Sequence, residues 1–108
     1  MTGAYLDWEA TYEHTETIRK HYVYLIETLE VKFGLLDHLL SASVLKQIER
    51  ESICVEMMTC TQNEKLLSVL SRKTSDQFEK FLDALDATGQ QHVRNRITGR
   101  EGKQFLVI

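Results

Sequence analysis

Residues 78–93 read FEKFLDALDATGQQHV, and this stretch decides the fold. Phe78, Phe81, Leu82 and Leu85 fall at i, i+3, i+4 and i+7, the stripe of a helix packed on a core. Glu79, Lys80, Asp83 and Asp86 occupy the opposite, wet side. The pattern stops at Thr88-Gly89 and restarts at once, as it would where one helix of a bundle turns into the next. Upstream, Thr74-Ser-Asp-Gln77 reads as a capping box, with Thr and Gln side chains satisfying each other's orphan amides.

Working outward, the same periodicity marks five more segments. The first runs from about Glu13 to Leu29 and turns Ile18, Tyr22, Leu25, Ile26 and Leu29 inward. A second spans about Phe33 to Ser41 with Leu35, Leu36, Leu39 and Leu40. The third, about Lys46 to Glu56, has a poor stripe in which Ile53 faces in and Ile48 lies on another face. For the fourth, Thr61-Gln-Asn-Glu64 is expected to form the N-terminal capping box, followed by Leu66, Leu67 and Leu70. The sixth follows Gly89, carries Val93 and Ile97, and ends at Gly99. The connections are short, as a helical bundle requires. Proline is absent where average usage would give about five, which suits long helices with non-Pro turns.

The bulk properties exclude several classes. At 108 residues the chain is one domain, and 43% hydrophobic with 27% charged residues is a globular composition. No apolar run approaches the ~18 residues of a membrane span, and the start lacks the basic-then-apolar order of a signal peptide. Cys54 and Cys60 suit a reducing compartment, so the cytosol is expected and the thiols are read as buried or half-buried. His14, His21, His38 and His92 include no pair spaced to plant two metal ligands on one helical face, and are read as surface residues. No phosphate loop or nucleophile elbow is present, so neither catalytic, cofactor-binding nor metal-binding residues are assigned. Trp8, Tyr22 and Tyr24 read as core aromatics. Arg94, Arg96, Arg100 and Lys103 make a short basic end without interleaved aromatics, a poor nucleic-acid stripe.

Charge of opposite sign sits on different helices. Lys65 and Arg72 share a face of the fourth segment, and Arg19 and Lys20 lie on the first. Glu49 and Glu56 share a face of the third, and Asp37 lies on the second. Such a surface can bind copies of itself head to tail, and heterologous contacts of that kind grow unless the rotation closes them.

The strings IRKHYVYLIETL, LLDHLLSASVL, TQNEKLLSVLSRK and F-x-x-F-L-x-A-L-x-x-T-G-Q-x-H together resemble a caspase recruitment domain (CARD), over about residues 14 to 97. The resemblance implies an all-α, six-helix antiparallel Greek-key bundle of the death-fold class, its first helix bent or broken. Residues 1–13 are then an N-terminal extension and 98–108 a tail, basic and then apolar at Phe105–Ile108. It implies no enzyme and no cofactor, but homotypic assembly of apoptotic or innate-immune signalling complexes, filaments among them. The expected partners are other CARD-containing proteins and the chain itself, with neither membrane nor nucleic acid. Carried over by position, the family's contact sets Arg19, Lys20, Lys65, Arg72 and Lys73 against Asp37, Glu49, Glu51 and Glu56. Two departures stand out. Arg72-Lys73-Thr74-Ser75 replaces the family's Arg-Gly-Pro, and Ile48 takes a position that is usually polar, either as local core or as an apolar contact on the acidic face. The tail RITGREGKQF resembles the CARMA-type scaffolds, while VYLIETL and LLDHL suit a Bcl-type adaptor. The alternative functions are a lone-CARD decoy that caps a partner assembly, or a small helical nucleic-acid-binding module.

Overall fold

The computed structural model of the chain describes residues 14–32 and 34–99, and every regular element among them is a helix. The expected extension 1–13, the helix starts at Glu13 and Phe33, Trp8, and the tail from Arg100 onward lie outside the described residues. Residues 14–20 form α1. Then come α2 (Tyr22–Thr28), α3 (Leu35–Ser41), α4 (Gln47–Cys54), α5 (Thr59–Ser71), α6 (Ser75–Ala87) and α7 (Gln91–Thr98). The expected first helix is thus two helices, interrupted at His21. The interruption also shifts the phase, so that Tyr22, expected inside, is exposed while Leu25 and Leu29 stay fully buried. Tyr24 packs at the core's edge, with the Arg96 guanidinium 4.7 Å above its ring centre.

Helix α5 packs against both α2 and α4, and α6 against α3 and α7, with α3 also touching α4. Phe81, Leu85, Leu35, Leu39, Leu66, Leu70, Ile53 and Val93 meet in the one core. The α6 stripe is buried as its spacing requires, and Thr74 caps it: the Gln77 amide donates to Thr74 Oγ1 at 3.2 Å and the Thr74 amide to Gln77 Oε1 at 3.1 Å.

The capping box expected at Thr61 does not form. Helix α5 starts two residues earlier, at Thr59 behind Met58, which brings no capping oxygen. The gain is inside: Asn63 is fully buried and its Nδ2 donates to the carbonyls of Ile26 (2.9 Å) and Leu29 (3.0 Å), closing the end of α2. Gln62, also buried, donates to the Glu56 carbonyl at 2.9 Å.

The Thr88-Gly89-Gln90 corner has two jobs. Gly89 adopts φ +79°, the left-handed conformation that costs glycine least. The Gln90 amide then reaches the Leu85 carbonyl (2.7 Å) and the Gly89 amide that of Asp86 (3.2 Å), a Schellman closure of α6. The Gln90 side chain meanwhile pairs both ways with the backbone of Glu30: the Glu30 amide donates to Oε1 (3.0 Å), and Nε2 donates to the Glu30 carbonyl (3.1 Å). This clamp ties the α6–α7 corner to the α2–α3 linker.

Candidate interaction surface

The charged residues nominated from sequence lie where their helices put them, but many already have partners inside the chain. Lys73, just past the end of α5, is 3.0 Å from Glu49 in the first turn of α4. Lys65 is 2.8 Å from Glu56, just past the end of α4, and also reaches the Ser52 carbonyl at 3.3 Å. Two nominated pairs thus brace the antiparallel α4 and α5 at both ends. The Lys73–Glu49 pair is the more buried, with side chains 13% and 21% exposed. Burial pushes the Glu49 carboxyl up, but hydrogen bonds from the Lys46 amide and the Lys73 ammonium outweigh it and hold its pKa below the usual value.

Asp37 accepts both a 2.8 Å and a 3.1 Å bond from Arg50, a cation of α4 that the sequence reading left out. Arg19 pairs with Glu16 one turn earlier at 2.7 Å, on the exposed side of α1. Three nominated residues remain without an oppositely charged partner among the described residues: Lys20, Arg72 and Glu51. Arg72 Nη1 donates to Ser68 at 3.1 Å, and Glu51 accepts from Gln47 at 3.1 Å. Ile48 stands 72% exposed on α4, so it is no core residue.

The other chemistry-bearing residues sort differently from their sequence reading. His14 is buried, not superficial, and its ring stacks on Phe78 with centroids 5.3 Å apart. Both cysteines are exposed rather than half-buried. His21 sits at the α1–α2 break, where burial and then the Lys20 and Arg96 charges push its pKa down. Of the basic C-terminal end, Arg94 pairs with Asp83 and Asp86, and Arg96 lies over Tyr24; Arg100 and Lys103 are outside the described residues. Among the described residues no three His, Cys, Asp or Glu side chains gather as metal ligands. No described helix is long and apolar enough to cross a membrane.

The helical bundle and its divided first helix accord with one known family. The family model for the caspase recruitment domain matches residues 15–100. The chain belongs to the CARD family. A CARD is a protein-interaction domain that binds other CARD-containing proteins, not a catalytic one. Among curated proteins, caspase-2 of Gallus gallus is 28% identical over 88 residues, covering 82% of this chain and 20% of caspase-2. The chain therefore spans about a fifth of the length of that relative. No solved structure matches it. In CARD terms α1 and α2 are the divided first helix and α3 to α7 are the second to sixth.

Proposed function

We propose that this CARD is a non-enzymatic homotypic module that associates with copies of itself and with other CARDs in the cytosol, building apoptotic or innate-immune signalling complexes that extend as filaments. The basic side is Arg19 and Lys20 on α1 with Lys65, Arg72 and Lys73 at α5. The acidic side is Asp37 on α3 with Glu49, Glu51 and Glu56 at α4. Within these sets the free charges carry intermolecular attraction, the pairs of Asp37, Lys65 and Lys73 keep α4 in place, and Arg19 pairs within α1. The observation that carries this reading is which nominated charges have no oppositely charged partner among the described residues: Lys20 on α1 and Arg72 at the end of α5, against Glu51 on α4. Charges already satisfied in the chain would have to break a bond to make one.

Light scattering of the isolated domain against protein and salt concentration tests it. Association should grow with protein concentration and weaken as salt screens the contact. Arg72→Glu should suppress it while changing stability by less than ~0.5 kcal/mol, as exposed substitutions usually do. Equal assembly by mutant and wild type would remove Arg72 from the contact.

A further inference from the structure

Cys54 is the last residue of α4, and its thiol is free and exposed. It lines a cleft of about 220 Å³ where the α2–α3 linker, α3, α4 and α5 meet. An exposed thiol alone says nothing about a ligand, but other groups of the same cleft do. Gln62 of α5 lines it too, is only 6% exposed, and has an Oε1 that accepts no hydrogen bond among the described residues. Buried carbonyl oxygens almost always have a donor, and a bare one is costly. The amide cannot turn over to escape that cost, because its Nε2 is committed to the Glu56 carbonyl at 2.9 Å. The cleft therefore holds a fixed acceptor that lacks an N–H donor.

Three charged side chains complete it: Lys32, Asp37 and Arg50. Both bonds from Arg50 end on Asp37 Oδ1, so Asp37 Oδ2 has no donor among the described residues. Lys32, in the α2–α3 linker, is exposed and has no oppositely charged partner among them. One small cleft thus brings together a thiol, an amide-N–H acceptor, an unpaired ammonium and a half-satisfied carboxylate. A peptide disulfide of the glutathione type carries the complement of each: a disulfide sulfur, amide N–H groups, carboxylates and an ammonium.

We propose that Cys54 is a thiol-modification site, fitted by this cleft to zwitterionic peptide disulfides of that class, with which it forms a mixed disulfide. A ligand carboxylate pairs with Lys32, the ligand ammonium with Asp37 Oδ2, and an amide N–H donates to Gln62 Oε1. The Cys54 thiol gives its proton to water, and its Sγ attacks one sulfur of the bound disulfide. The ligand's S–S bond breaks as the new one forms, and the departing thiolate takes up a proton. Cys54 is oxidised, the departing sulfur is reduced, and the disulfide itself is the oxidant. A disulfide held beside the thiol reacts at an effective concentration above its bulk value. Cys60, the other exposed thiol, lies in the first turn of α5 and does not line this cleft.

Cys60→Ser and Cys54→Ser leave one thiol in each chain. Intact-mass spectrometry then follows mixed-disulfide formation with oxidised glutathione and with hydroxyethyl disulfide, which has neither charge nor amide. The ratio of the Cys54 rate to the Cys60 rate should be roughly tenfold higher with glutathione, the scale of a charge-assisted hydrogen bond. Adding Lys32→Gln to the Cys54 chain should remove most of that preference while leaving the rate with hydroxyethyl disulfide unchanged. Lys80→Gln, an equal loss of charge on the exposed side of α6, should leave the preference intact. A ratio that is the same for both disulfides overturns the proposal, since the cleft then selects nothing. Full preference in the Lys32→Gln chain overturns it too. Equal losses from Lys32→Gln and Lys80→Gln would assign the preference to net charge and likewise overturn the site.

Discussion

Asn63 has no exposure to water, and both hydrogens of its side-chain amide go to carbonyls at the end of another helix. The last carbonyls of α2 lack intrahelical donors, and buried orphans of that kind cost about 1–3 kcal/mol each. Asn63→Ala should therefore lower unfolding free energy by about 2–3 kcal/mol in a urea titration, far more than a surface change. Glu49 gives a second test, in pH. Its folded pKa is depressed below the ordinary 4.5, so the stability it contributes is present above that value and lost as pH falls through the folded pKa. Thermal melts from neutral pH down to acid should fall less steeply below about pH 4.5 for Glu49→Gln than for wild type. At neutral pH that variant should be less stable by about 1 kcal/mol, the scale of a partly exposed pair.

At the scale of elements, the helices readable from sequence were those whose signals are local. Phe78, Phe81, Leu82 and Leu85 declare α6 through spacing, and Thr74 and Gln77 declare its start through capping chemistry. The start of α5 was misread for the converse reason: Thr61 and Glu64 match a local rule, but tertiary demand from Ile26, Leu29 and Glu56 draws Gln62 and Asn63 inward and sets the helix two residues earlier. Tyr22 fits the α-helical stripe only if the first helix is continuous, and the interruption at His21 turns it out. The Thr88-Gly89-Gln90 corner was legible as a stop, whereas its clamp on Glu30 joins residues sixty apart, which no window can see. Gln90→Ala should release that clamp. Amide exchange should then quicken across the linker at Leu29–Val31, while the interior of α5 keeps its protection.

For the molecule as a whole, the sequence shows on which helix each charge lies but not which charges are already paired within the chain. Lys73 and Glu49 are twenty-four positions apart, and nothing in either neighbourhood announces their bond. The distinction changes the experiment of choice. Reversing Glu49 removes a brace between α4 and α5, so Glu49→Arg should not rescue the assembly of Arg72→Glu and should lower its melting temperature. Glu51→Arg reverses a charge with no cationic partner among the described residues and should restore association when mixed with Arg72→Glu. Light scattering of the two mixtures side by side decides it; rescue by Glu49→Arg with unchanged melting would return Glu49 to the intermolecular contact.

The Gln90–Glu30 clamp also has a bearing on how the chain comes off the ribosome. Synthesis proceeds from the N-terminus, so α2, α3 and the linker between them emerge well before the residue that fastens them. Closing a span of sixty residues costs loop entropy that grows only slowly with length, yet it cannot happen until the second half of the domain is in reach. A nascent chain stalled before Thr88 would hold the linker unlatched and would leave α6 without α7, its partner in the core. Folding of this domain is thus tied to its completion, and a truncated product presents its inner face to whatever meets it first.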